Sequence, residues 1–279
     1  MTTSLSLPCS RVRSGLLALA AACALVLPSN AGNVDTELLI LVDAQTYSQS
    51  DFNLILDNVA KSFESQSFYA AVTQGGVYGK IASSVMLYNL PTNPVVITWR
   101  ELTTQQDFFN FANSVRSIAY PNTGWGVSYV NALTSATNHM AASPSNGTVQ
   151  QITIIDDATG FYQADANATR AARNAALASG VDVINAMVFD AAYQEATVTN
   201  YYQANVISPT TGSVSVVSSP QGGPKPSADM ALISSAVQTS VAGPTIQTAQ
   251  AIPEPTAAGV LGLAGVLGLL RRRRIGGEA

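Results

Sequence analysis

The stretch QQITIIDDATGFYQADANATRAARNAALASGVDVINAMVF, Gln150 to Phe189, decides the fold. Ile152 to Ile155 are a short, mostly β-branched apolar run ending in Asp156 and Asp157, as expected of a strand buried on both faces. Asp165 then stands as an N-cap before the helical run ANATRAARNAALAS, Gly180 closes that run, and Val183 to Val188 read as a second buried strand. Strand, helix and strand in this order form a βαβ crossover, the unit of a parallel sheet.

The same alternation continues on both sides. Upstream, ELLILVDAQTYS (Glu37 to Ser48) is a buried strand running into Asp43 and a polar turn. Ser48 caps a helix with Asp51, and Phe52, Ile55, Val59 and Phe63 recur on one helical face. KIASSVMLYN and NPVVITWREL read as two strands joined by a turn that Pro91 and Pro94 bend, an antiparallel edge. TTQQDFFNFANSVRSIA is a helix capped by Thr104 with Asp107, burying Phe108, Phe111, Ala112 and Val115. After the loop YPNTGWG, VSYVNALTSATNHM is a helix packing Val130, Leu133 and Met140. Downstream, AAYQEATVTNYYQANVI, SVSVVSS and SADMALISSAVQTSVAG add helix, strand and helix. The prediction is one α/β domain with a doubly wound, mostly parallel central sheet and helices on both faces, a three-layer sandwich.

The two ends differ from this body. Arg11 and Arg13 precede an apolar run from Gly15 to Leu27, followed by Pro28 and the small residues Ser29 and Ala31. That is the layout of a secretory signal peptide cleaved after Ala31. At the other end, Pro253-Glu254-Pro255 precedes the apolar run Thr256 to Leu270 and the arginines Arg271, Arg272, Arg273 and Arg274. As a helix the run spans roughly 22 Å, short for a hydrocarbon core of about 30 Å, and the arginines favour the cytoplasmic side. Pro-Glu-Pro, short transmembrane helix and arginine cluster in this order resemble the PEP-CTERM sorting signal of Gram-negative bacteria. The resemblance implies processing by an exosortase-type enzyme and delivery to the cell surface or an exopolysaccharide matrix. The predicted organisation is a signal peptide over 1–31, the domain over 32–243, a linker over 244–252 and the sorting tail over 253–279.

Six of the 13 basic residues but only two of the 17 acidic ones lie in these ends, so the domain carries about eight more acidic than basic groups. It has no basic patch to neutralise phosphates, which argues against nucleic acid as a partner. Cys9 and Cys23 both fall in the signal, leaving the exported domain no thiol, disulfide or cysteine metal ligand. His139 is the single histidine. Counted from Val130 at about 100° per residue, it falls opposite the core face of its helix and is expected in solvent. A histidine-centred triad or zinc site is then hard to build. For Asp156 and Asp157, one is expected to cap the loop and the other to be solvated.

In open α/β sheets ligands gather at the carboxyl ends of the strands. Three polar residues stand at such ends or in the loops beside them: Asp43, Thr123 and Asp157. The segments NTGWGVSYVNAL, QITIIDDATG and NYYQANVI resemble the von Willebrand factor A domain, in a branch of secreted bacterial relatives. That resemblance implies a metal-ion-dependent adhesion site whose first loop reads Asp-x-Ser-x-Ser, with a threonine and an aspartate from two further loops. Asp43, Thr123 and Asp157 match it, whereas Gln45 and Tyr47 stand where the two serines belong. A short hydroxyl meets the distance of roughly 2.1 Å that Mg²⁺ requires, which a glutamine or tyrosine does not readily do. Asp43, Thr123 and Asp157 are therefore read as a vestigial metal site. The cofactor expectation is none, with weak Mg²⁺ or other divalent-cation binding as the alternative.

The expected function is a non-enzymatic binding or adhesion domain on an exported cell-surface or matrix protein. Its expected partners are the exosortase-type enzyme, an extracellular protein or polysaccharide ligand and, transiently through the tail, the inner membrane. The alternatives are an extracellular carbohydrate-active hydrolase working through carboxylates and a purely structural matrix component.

Overall fold

A computed structural model of the chain describes residues 32–45, 48–121, 128–156, 164–189 and 195–217. The signal segment, Tyr47, Thr123, Asp157, the last expected helix, the linker and the sorting tail lie outside the described residues.

The chain runs β1 (Gly32–Asp43), α1 (Gln49–Glu64), α2 (Gln66–Gly75), β2 (Ile81–Tyr88), β3 (Val95–Leu102), α3 (Gln105–Arg116), α4 (Tyr129–Ala141), β4 (Ser145–Asp156), α5 (Ala166–Ala178), β5 (Val183–Phe189), α6 (Glu195–Asn205) and β6 (Val214–Val217). The strands order as β3-β2-β1-β4-β5-β6. Every described pairing is parallel except β2 with β3, which closes one edge. This is the doubly wound order that reverses direction between β1 and β4.

Alternation along β1 builds two cores. Leu38, Ile40 and Val42 face α1 and α3, meeting Phe52, Ile55, Val59, Phe108 and Phe111. Leu39 and Leu41 face the other way, toward Leu133 of α4, Ala176 of α5 and Tyr202 of α6. Over Leu38 to Val42 both faces of the strand are buried and no side faces solvent, which is why that run is unbroken apolar.

Local signals set the helix ends. The Ser48 hydroxyl accepts the Asp51 amide at 3.1 Å, and Thr104 and Asp107 form a reciprocal capping box. Asp165 accepts the amides of Asn167 and Ala168 at 2.9 and 3.1 Å. Gly180, at φ 111°, lets the chain leave α5, with its N–H on the Leu177 carbonyl and the Val181 N–H on that of Ala176. That pair is the Schellman arrangement, and its left-handed residue favours glycine. On α5, the buried guanidinium of Arg173 donates to the carbonyls of Ala204 (2.9 Å) and Ile207 (3.4 Å) at the end of α6. A cation there satisfies orphan carbonyls and opposes the negative end of the helix dipole.

Three expectations change. Helix α2 was not foreseen; it follows α1 after Ser65 and buries Phe68 and Val72. In α4 the core residue of the first turn is Tyr129, with Val130 only half-buried. A one-residue error in phase rotates a helix by about 100°, so the placement of His139 changes with it. The imidazole is half-buried and stacks on Trp99 of β3, with ring centroids 5.1 Å apart and planes 11° from parallel.

Candidate functional site

The parallel strands carry their carboxyl ends to one side of the sheet, and β1 and β4 are neighbours there. Their register pairs Val42 with Ile155, so the next residue on each strand is an aspartate: Asp43 beside Asp156. Chain connections leave these two strands in opposite directions, which opens the sheet's switch point above them. Both aspartates are 1% exposed. Two neighbouring buried carboxylates repel and need hydrogen-bond donors or a cation.

Asp43 Oδ1 accepts the Gln45 backbone N–H at 2.8 Å and the Asn89 amide nitrogen at 2.9 Å. Asn89 ends β2 in a left-handed conformation, φ 62°, which asparagine tolerates better than most side chains. Its amide orientation is fixed from the other side: Asn89 Oδ1 accepts the Ser128 N–H at 3.1 Å, so the NH₂ must face Asp43. Ser128 is the N-cap of α4, its hydroxyl accepting the Asn131 N–H. Asn89 thus ties β1, β2 and α4 together at the strand end.

Asp156 Oδ2 accepts two phenol hydroxyls, those of Tyr88 and Tyr202, each at 2.6 Å. The Tyr129 hydroxyl lies 2.8 Å from that of Tyr202. A phenol has one proton, and Tyr202 gives its own to Asp156, so Tyr129 donates to Tyr202. The chain of donors runs Tyr129 to Tyr202 to Asp156. Burial first, and the Asp156 charge second, push all three phenols well above the usual tyrosine pKa. They stay protonated and keep donating.

Of the residues singled out from sequence, Asp43 stands at this point, while Thr123 and Asp157 lie outside the described residues. Asp156 was expected in a loop cap or in solvent and is instead buried in the network. Tyr88, Asn89, Tyr129 and Tyr202 were not read as site residues. The signal for Asp156 was strand alternation: Ile152 and Ile154 face α4 and α6, and Asp156 continues their parity toward the tyrosines.

A cation site requires converging oxygen acceptors. Around Asp43 Oδ1 and Asp156 Oδ2 the described partners are all donors, one backbone N–H, one amide NH₂ and two phenol O–H groups. At these two oxygens the described set fits protons rather than a metal. Among the described residues no three His, Cys, Asp or Glu side chains gather to hold an ion.

His139 makes no nucleophile of its neighbour. Ser84 donates its proton to the Ile97 carbonyl at 2.7 Å, so imidazole Nε2, 2.8 Å away, carries the hydrogen in their contact. A serine activated by histidine needs the opposite direction. Burial holds this imidazole below its usual pKa. At the sheet end that carries Asp43 and Asp156, between β3 and α3, a groove of about 720 Å³ is lined by Leu87, Leu90, Pro94, Val96, Ile118 and Tyr120 among others.

A family described as "Protein of unknown function (DUF1194)" matches residues 33–222, well over half of the chain. The chain belongs to this family. No curated protein matches this DUF1194 member. Among solved structures, it is similar to proximal thread matrix protein 1 from the mussel byssus with a zinc-occupied MIDAS motif, at TM-score 0.52 and 14% identity, covering 78% of this chain and 49% of that one. A second crystal form of the mussel protein gives 0.51 and 12% identity, over 76% and 48%. The SpRpn10 VWA domain is matched at 0.44 and 10% identity, over 73% of this chain and 94% of that one. The DUF1194 chain spans about half the length of the mussel protein. At such identities the likeness to the mussel protein is one of fold alone, an α/β sandwich around a mostly parallel sheet, in agreement with the strand order.

Proposed function

We propose that this DUF1194 protein is an exported, non-enzymatic cell-surface or matrix protein whose von Willebrand A-like domain binds an extracellular protein or polysaccharide at the carboxyl end of its sheet. The observation that carries the reading is the placement of Asp43 and Asp156 side by side at the switch point between β1 and β4, where open α/β sheets take ligands. Support comes also from the groove between β3 and α3 at the same end of the sheet and from the fold shared with a byssal matrix protein. Export rests on the signal-like first segment, and sorting by an exosortase-type system on Pro253-Glu254-Pro255 and Arg271 to Arg274.

Destination and binding are tested separately. Intact-mass measurement of protein recovered from the cell surface is expected to give a chain beginning near Gly32 and lacking the arginine cluster. A full-length mass retaining Arg271 to Arg274 would point to a plain tail anchor. For binding, the exported protein is immobilised and screened against the producer's exopolysaccharide and surface proteins, beside an Asn89→Ala variant that unties α4 from β1. Binding that weakens about tenfold or more in the variant supports the strand-end face; equal binding, or cleavage of the polysaccharide, contradicts the reading.

A further inference from the structure

We propose that the groove between β3 and α3 receives an extended peptide segment of a partner protein, laid along the open edge of β3 with an acidic side chain on Arg100 and an aliphatic one against Val96. The inference rests on the reading of the DUF1194 domain as a binding module and narrows its partner to a protein.

An open edge, an apolar wall and a free charge carry it. β3 ends the sheet, and among the described residues no strand pairs with its outer side. Such an edge is a template for strand addition, in which main-chain bonds give affinity and pockets for alternate side chains give specificity. Val95 and Val96 are 36% and 38% exposed there, and Thr98 and Arg100 are exposed beyond them. Beside the strand, the groove of about 720 Å³ lies within the size of ligand sites, roughly 300 to 1,000 Å³. Its wall of Leu87, Leu90, Pro94, Val96 and Ile118 is apolar. A polysaccharide carries hydroxyls along its whole length and would leave them without partners on that wall, whereas the aliphatic side chains of a peptide lose only water.

Among the described residues, Arg100 is the one charged side chain lining the groove. Lys61, Lys80 and Arg116 are paired with carboxylates, and Arg173 with carbonyls at the end of α6. Arg100 instead meets the Ser114 hydroxyl at 2.8 Å through Nη1, and no described carboxylate pairs with it. A guanidinium has five N–H donors, so most of these stay available for a carboxylate, which arginine binds in bidentate fashion. In a domain with about eight more acidic than basic groups, an unpaired cation in a groove without acids selects an anionic group on the partner. Val96 and Arg100 lie four residues apart on one strand, roughly 13 Å, so the recognised segment carries its aliphatic and acidic side chains at that same spacing.

The test uses the exported chain and a pair of blocked synthetic peptides, Thr-Val-Thr-Val-Thr-Glu-Thr and its reverse, which place valine and glutamate at that spacing in either strand direction. Binding is read by fluorescence anisotropy of the dye-labelled peptides, beside versions with glutamine in place of glutamate. One glutamate peptide is expected to bind, with affinity falling about tenfold or more for its glutamine version and in an Arg100→Ala variant, as the loss of a charge-assisted contact implies. A Val96→Asp variant is expected to lose binding as well. Both side chains are exposed, so circular dichroism and Tm should show the variants folded. Equal affinity for glutamate and glutamine peptides, unchanged binding in Arg100→Ala, or no binding by either peptide overturns the inference. So does an acidic oligosaccharide that binds through Arg100 where the peptides do not. Peptides that fail while a surface ligand still weakens in Asn89→Ala overturn this inference and leave the proposed function standing. Cleavage of the polysaccharide by a chain that binds the peptides through Arg100 contradicts the proposed function and leaves the groove's assignment standing.

Discussion

Replacing Tyr202 with phenylalanine removes one oxygen from the centre of the donor chain and leaves the ring packing intact. Two bonds depend on that atom: the 2.6 Å bond to Asp156 and the 2.8 Å bond it accepts from Tyr129. A hydrogen bond to a charged acceptor contributes about 1.5 to 3 kcal/mol, and a buried hydroxyl left without a partner costs about 1 to 3 kcal/mol more. Tyr202→Phe should therefore destabilise the fold by about 2.5 to 6 kcal/mol. Tyr88→Phe loses only its bond to Asp156 and should cost about 1.5 to 3 kcal/mol, and Tyr129→Phe, which loses a neutral bond, about 0.5 to 1.5 kcal/mol. Urea unfolding measures all three, with equal m-values required for the comparison. The order Tyr202, Tyr88, Tyr129 is the signature of the relay. A Tyr202→Phe variant no costlier than Tyr129→Phe, or losses below about 0.5 kcal/mol at both Tyr88 and Tyr202, would refute it.

The same phenols give an alkaline expectation. Their folded-state pKa values are raised, so the stability they contribute is intact below the ordinary tyrosine value of 10.0 and declines as pH rises beyond it. Absorbance titration should show these three tyrosines ionising only with unfolding; ionisation near pH 10 in the folded chain would contradict their burial. Leu39→Ala and Ile40→Ala, on opposite faces of β1, should each cost about 2 to 5 kcal/mol by denaturant unfolding, and a small loss at either would mean that one sheet face is uncovered. Glu37 is fully buried and accepts Ser143, Gly147 and Gln150, yet burial outweighs these bonds and raises its pKa above 4.5. A raised acid favours folding while protonated, so this contribution falls as pH climbs from about 4.5 toward neutrality, and Glu37→Gln should abolish that fall in urea midpoints. An unchanged pH slope in the variant would assign the fall to other groups.

Much of the fold was legible because its signals are local. The apolar runs of β1, β4 and β5 announce strands covered on both faces, and Ser48, the Thr104–Asp107 box, Asp165 and Gly180 mark helix ends within a few residues of where they act. Helix α2 was missed because only Phe68 and Val72 of its side chains are apolar and buried, too few to establish a helical period. Tyr129 and Val130 sit together at the start of α4, and choosing the wrong one turned the helix and sent His139 to solvent. At the end of β4, Asp156 continues the inward parity of Ile152 and Ile154, and only the pleat of the folded strand reveals that parity. The tyrosine cluster draws on β2, α4 and α6, more than a hundred residues apart from end to end by number, and no spacing rule joins such positions. Phenols also read from sequence as amphipathic, and their burial follows from a carboxylate that only the register of β1 and β4 reveals.

The most direct measurement is a titration of the exported chain, carrying ¹³C-labelled tyrosines, with the glutamate peptides, followed by NMR. Tyr120 lines the groove at the carboxyl end of the sheet, whereas Tyr88, Tyr129 and Tyr202 are buried. With a ligand held at that end, the expected result is that the Tyr120 ring signals shift as peptide is added while those of Tyr88, Tyr129 and Tyr202 stay in place. Tyr120 signals that stay in place while other tyrosines move, or no shift at all, would contradict it.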